Sequence, residues 1–217
     1  MSDSPKRAYL WLFATLAVVG FVADLASKYV VFTNLYPDDQ SSETRAVVIP
    51  DLFELRTAYS YQRNAGDGTL SFLRTISGDR LPHVNRGALF GIGNADGEGE
   101  GMNGFFTVVS VLAACFIVIW VMRPTVTADR FLCLALGLIL AGTLGNLYDR
   151  VVFGGVRDFL HCYYDTHVWP DFNIADCCLV CGAGTLLVHS FFVTDPAKPA
   201  ATEALTPMQT TSPTPGA

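Results

Sequence analysis

Charge is scarce in this chain. It has 14 Lys and Arg and 20 Asp and Glu in 217 residues, against an apolar fraction of 51% and a mean hydropathy of +0.35. No run of basic residues offers a nucleic-acid surface, and the net charge of −6 carries little information because the acids gather in one loop. Ordered cysteine pairing is lacking too. Of Cys115, Cys133, Cys162, Cys177, Cys178 and Cys181, all but Cys162 lie in apolar runs, which excludes a disulfide framework. Cys177, Cys178 and Cys181 have no second Cys or His pair at ligand spacing, so no metal is expected. His161 and His167 lack the H-E-x-x-H spacing of a zinc hydrolase, no Ser sits in a glycine elbow, and the adjacency of His161 and Cys162 does not aim one at the other. Internal repeats of the kind common in carriers are also absent.

Long apolar runs are what the chain has. Residues 10–23, 105–122, 131–148 and 177–194 each reach or approach the roughly 18 residues of a spanning helix, the first if it tolerates Asp24 and continues to Phe32. Four spans make a small polytopic membrane protein. Lys6 and Arg7 precede the first span, and Arg123 and Arg130 bracket the turn between the second and third. Both sites are therefore assigned to the cytoplasm, with both termini. No small-x-small site follows the first span, which is read as a retained anchor. The expected organisation is a cytoplasmic N-terminus (1–8), a membrane domain (9–194) with an extracytoplasmic loop (33–103), and a disordered cytoplasmic tail (195–217) rich in Pro, Thr, Ala and Ser.

Within the loop, residues 52–61 alternate, with Phe53, Leu55, Thr57, Tyr59 and Tyr61 on one face and Glu54, Arg56 and Ser60 on the other. Period two with aromatic and branched residues predicts a strand. The fold class is thus an all-α membrane protein of four transmembrane helices with a small extracytoplasmic sheet. Residues 62–83 read as an inserted excursion whose apolar patch, Leu70 to Ile76, suits a turn or two of interfacial helix.

Ionisable residues near lipid are costly and therefore informative. Asp24 and Lys28 share a helix face at i, i+4, as a structural pair would. Asn146, Asp149 and Arg150 lie at i, i+3 and i+4 at the outer end of the third span, with Asp149 beside Arg150 expected to form a fixed ion pair. Asp158 and Asp176 are left without a partner, at the two ends of a connection that returns to the same side of the membrane. Brought together, they would share a proton and hold a water, one as base and the other as acid. Three readings stay open on this chemistry: an intramembrane aspartyl hydrolase, a carrier using Asp24, Asp149, Asp158 and Asp176 as its polar path, and a structural protein.

The blocks Asp24-Leu-Ala-Ser-Lys28, Asn85-Arg-Gly-Ala-Leu-Phe-Gly91, Gly142-Thr-Leu-Gly-Asn146-Leu-Tyr-Asp149-Arg150, Gly155-Val-Arg-Asp158-Phe and Phe172-Asn-Ile-Ala-Asp176 resemble those of the lipoprotein signal peptidase, or signal peptidase II, family. The resemblance spans about residues 9–192. It implies four helices, a small extracytoplasmic β-cradle and a mobile element over the site. The implied activity is removal of signal peptides from bacterial prolipoproteins after their cysteine has been diacylglyceryl-modified, in the cell inner membrane. It also implies an Asp158–Asp176 catalytic pair, with Asn146, Asp149, Arg150, Asn173 and Ala175 supporting the site. Asn85 would contact substrate, and Asp24 and Lys28 would stabilise the bundle. No cofactor is implied; the expected partners are the lipidated prolipoprotein and membrane lipid, and a monomer is expected. The alternative is a polytopic carrier or a non-catalytic binder of lipidated peptides.

Overall fold

A computed structural model describes residues 8–38, 41–60, 70–74, 80–87 and 99–192. The N-terminal Lys6 and Arg7, most of the 62–83 excursion, the 88–91 end of the Asn85 block and the tail lie outside the described residues.

Four helices among the described residues are long and apolar enough to cross a membrane. They are α1 (Leu10–Asn34), α3 (Gly99–Val121), α5 (Arg130–Phe153) and α6 (Ile174–Phe192). Two single turns are helical as well, α2 (Ser71–Arg74) within the apolar patch and α4 (Pro124–Thr127) between α3 and α5. Pro124 sits at the first helical position of α4, where its missing N–H costs nothing. The Asp129 carboxylate then starts α5 by accepting from the N–H groups of Phe131 (2.8 Å) and Leu132 (3.2 Å). Gly154, at φ 74°, ends α5 in the left-handed conformation that favours glycine.

α5 is the centre of the bundle and packs against α1, α3 and α6. Small residues bring the backbones together, as expected where lipid supplies no hydrophobic drive. A Cβ on Gly137 would lie 2.8 Å from the Phe13 carbonyl oxygen of α1, one on Gly182 would lie 2.8 Å from that of Ala135, and one on Gly142 would overlap that of Ala175 in α6. The apolar outer faces remain open, as in Leu112, Ile119, Val180 and Phe191. The chain is a multi-pass membrane protein.

An antiparallel sheet caps one end. Its strands are β1 (Glu43–Ile49), β2 (Phe53–Ser60), β3 (Leu81–Pro82), β4 (Leu160–Tyr164) and β5 (His167–Val168), in the order β1-β2-β4-β5 with β3 on the end of β2. The alternating segment is β2. Its apolar face meets the end of α1 in a second core of Phe32, Tyr59, Phe159 and Leu160, where the Tyr59 hydroxyl donates to the Phe32 carbonyl. Glu54, on the opposite face of β2, is only 5% exposed, because β4 lies beside it with His161 directly opposite.

Candidate active site

Two linked layers of polar side chains fill the junction between the bundle and the sheet. The inner layer is an ion-pair knot sealed from solvent. Lys28 Nζ lies 2.7 Å from Asp24 Oδ2 and 3.2 Å from Asp149 Oδ2, and all three side chains are fully buried. Asp149 also receives Arg157 three ways, from the backbone N–H (2.9 Å), from Nη2 (2.8 Å) and from Nε (3.2 Å). The expected Asp149–Arg150 pair is therefore wrong. Consecutive helical residues diverge in direction, and the left-handed turn at Gly154 swings Arg157 back onto Asp149 instead. The Arg157 guanidinium stacks over Phe153 (3.9 Å) and Tyr29 (4.5 Å), replacing hydration with ring faces. Its Nη1 alone has no hydrogen-bond partner among the buried side-chain polar atoms described.

Asn146 and Asn173 join the knot to the outer layer. Lys28 Nζ reaches Asn146 Oδ1 at 3.5 Å, and the same oxygen accepts from Asn173 Nδ2 at 3.2 Å. Asn146 Nδ2 donates to Asp176 Oδ1 at 2.9 Å, and Asn173 Nδ2 donates to Asp158 Oδ1 at 2.8 Å. Asn173 precedes α6 and caps it reciprocally with Asp176. Its Oδ1 accepts from the Asp176 N–H (3.0 Å), while its own N–H donates to Asp176 Oδ2 (3.1 Å). The next free N–H of that first turn, on Ala175, donates to Asp24 Oδ1 at 2.9 Å, which ties α1 to the start of α6. Asp176 thus lies at the positive end of a helix dipole.

Asp158 follows α5 in the connection to β4. Asn85 donates to its Oδ2 at 3.2 Å, and is itself held by paired backbone hydrogen bonds to Val156 (2.8 Å each way) and by an Asx turn to Gly87. Arg150 points to this outer segment: Nη2 reaches the Gly87 carbonyl at 3.3 Å, Nη1 reaches Asn103 Oδ1 at 3.4 Å, and the guanidinium lies over Phe106. Burial, and then the negative charge of Asp176, push the Asp158 carboxyl up to about 7. Both aspartates are half-buried, whereas Asn173, Asp149 and Lys28 behind them are buried. The two carboxylates are bridged through Asn173 and make no direct hydrogen bond among the described residues.

Every residue singled out in the sequence falls in one of these layers. Two groups not singled out also belong to these layers: Arg157 and Asn103. Arg157 lies in the block Gly155-Val-Arg-Asp158, and with Arg150 adjacent to Asp149 no local signal in the sequence marks it as the partner of that acid.

The family described as signal peptidase (SPase) II matches residues 79–192. The lipoprotein signal peptidase of Pseudoalteromonas atlantica is 31% identical over 183 residues, covering 84% of this chain and 88% of the relative. That of Pseudoalteromonas translucida is 27% identical over 186 residues, covering 86% and 90%. A solved structure described as a bacterial membrane enzyme studied by the in meso method shares the fold, with a TM-score of 0.62 at 24% identity over 87% of this chain and 93% of that one. Its matched length, its four-helix bundle and these relatives place the chain in the signal peptidase II family, the lipoprotein signal peptidases, and so among the proteases.

Proposed function

We propose that the protein is an aspartyl endopeptidase that cuts the signal peptide from diacylglyceryl-modified prolipoproteins within the bacterial inner membrane. The observation that carries the reading is the pair of half-buried carboxylates, Asp158 and Asp176, spanned by one asparagine at the end of a membrane bundle. The substrate's signal helix reaches the site laterally from the bilayer. The site lies at the sheet end of the bundle, away from the turn flanked by Arg123 and Arg130, which supports cytoplasmic termini and an active site near the outer face. The enzyme works as a monomer.

The unequal surroundings of the two acids support distinct roles. Asp176, at the start of α6, is the base, and Asp158, whose proton is held to about pH 7, is the acid. A water between them gives a proton to Asp176 as its oxygen attacks the carbonyl carbon before the lipidated cysteine, while Asp158 gives its proton to the carbonyl oxygen. The neutral diol collapses by breaking the C–N bond: one hydroxyl returns its proton to Asp158 as the C=O reforms, and the proton on Asp176 passes to the departing amine. The products are a carboxylic acid on the signal peptide and a free amine on the cysteine. Asn173 and Asn146 hold the two acids at fixed angles; Asn85 orients Asp158 and faces the peptide.

A gel-shift cleavage assay in detergent, with a purified diacylglyceryl-modified prolipoprotein, tests this. The intact chain should release the signal peptide, and folded Asp158→Asn and Asp176→Asn should lose turnover by roughly a thousandfold or more, while retaining binding. Cleavage by either variant would move the chemistry to another group. An inactive intact chain would favour a carrier or a non-catalytic binder of lipidated peptides.

A further inference from the structure

The sheet holds a cluster that the proposed chemistry does not use. His161, 9% exposed on β4, turns Nδ1 toward Asp171 Oδ1 at 2.5 Å. Glu54 lies across the ladder from His161, Arg45 Nη1 stands 4.0 Å from Glu54, and the Tyr163 ring lies 5.6 Å from the His161 ring. Arg45, Glu54, His161, Tyr163, Asp165 and Val168 line a cleft of about 260 Å³ on the Glu54 side of the sheet.

The register of the chain at this point gives the pair its importance. Residues 159–161 run antiparallel to 171–173 around one bridge, Leu160 to Phe172. Leu160 and Phe172 exchange backbone hydrogen bonds at 2.9 and 3.1 Å, and the Phe159 N–H shares the Phe172 carbonyl at 3.1 Å. In that register His161 stands opposite Asp171, and Phe159 stands opposite Asn173. One residue beyond Phe159 is Asp158, to which Asn173 is bonded; one turn beyond Asn173 is Asp176, which Asn173 caps. Two segments only a few residues long, with few backbone bonds, therefore set the orientation of the bridge between the two acids. A short ladder is weakly specified unless a cross-strand side-chain pair pins it. His161–Asp171 is a cross-strand side-chain hydrogen bond on this ladder, made on the face opposite the apolar contact of Leu160 with Phe172.

We propose that the His161–Asp171 clasp is a positioning element that holds the 171–173 segment in register, so that Asn173 keeps Asp158 and Asp176 at their working angles. This rests on the reading of the site given above. The clasp makes no hydrogen bond to Asp158 or Asp176, so its loss acts on the chemical step through Asn173 and leaves binding alone. Angular error in a catalytic pair is costly even when small.

The test uses the full chain in detergent with the same lipidated prolipoprotein, measuring kcat, KM and melting temperature for His161→Ala, Asp171→Ala, the double variant and Asp171→Asn. Asp171→Asn keeps an oxygen to accept from Nδ1–H. The expected result is a fall in kcat of about ten- to hundredfold for each alanine variant, KM within about twofold of wild type, and no further fall in the double variant. Asp171→Asn should stay within about threefold of wild-type kcat. An unchanged kcat in a folded alanine variant overturns the proposal. So does a rise in KM alone, which would make the cleft a seat for the substrate, or losses that multiply in the double variant, or an Asp171→Asn as poor as Asp171→Ala. Should His161→Ala fail to fold, the comparison of Asp171→Asn with Asp171→Ala decides. A wild-type chain without cleavage removes the reading of the site and the clasp with it; a cleaving wild type beside an unimpaired His161→Ala removes the clasp alone.

Discussion

Replacing Arg157 with Met tests whether the buried knot is a balanced charge network. The knot holds two carboxylates, Asp24 and Asp149, and two cations, Lys28 and Arg157, all fully buried, so its formal charge is zero. Arg157→Met fills much of the same volume among Tyr29, Phe32 and Phe153 but leaves Asp149 with Lys28 as its only cation, shared with Asp24. One negative charge is then uncompensated in a dry interior, and removing one partner of such a pair costs about 3–5 kcal/mol. At the roughly 2–4 °C per kcal/mol typical of domains of this size, the melting midpoint in detergent should fall by about 6–20 °C. The decisive arm is Asp149→Leu combined with Arg157→Met. Removing both charges leaves Asp24 with Lys28 and restores neutrality, so the double variant should be less destabilised than the two single costs added together. Thermal melts of the four proteins, at matched detergent and pH, measure the coupling. Additive costs, or an Arg157→Met that melts within about 2 °C of wild type, would refute the balance argument.

Because the Asp158 proton is retained to about pH 7, kcat should fall on the alkaline side with an apparent pKa near that value, belonging to the coupled pair. Asn85→Ala removes a donor that favours the ionised form and should move that limb to higher pH; a flat profile to pH 9 refutes the assignment. A raised acid pKa gives stability that is fully present below the ordinary carboxylate value and is lost as pH rises through about 7. Asp158→Asn should therefore gain in melting temperature over wild type at pH 8 and not at pH 4. Gly142→Val drives a side chain into the Ala175 carbonyl and should cost about 1–3 kcal/mol by detergent melting, with loss of cleavage because the start of α6 must shift.

The long-range order of this molecule was unevenly legible. The four apolar runs marked the four helices, since span length and low charge are local properties. β2 was legible because its period of two runs for most of the strand, whereas β4 and β5 are short and exist only through pairing with β2 and with each other. The same limit explains Glu54: its face was read correctly from parity, but the burial of that face depends on β4, more than a hundred residues away. The structure gathers Asp158, Asp176, Asn146 and Asn173, whose positions near the end of α5 and the start of α6 placed them at one end of the bundle. The partner of Asp149 was not legible, because it depends on the left-handed turn at Gly154 and the aromatic seat that only the folded chain provides.

Asp158 and Asp176 stand at the base of one folded-back excursion, and everything that fixes their separation is also at the base: the Leu160–Phe172 bridge, the cap on α6 and the packing of α5 on α6. The tip, from Tyr164 to Trp169, is largely outside the packing, with Tyr164 72% and Val168 64% exposed. Base and tip are therefore separable parts of the design. A reporter peptide grafted at the Asp165 turn, or a chain break made there, would divide the polypeptide between its two acids while the contacts that hold them together stayed on either side of the cut.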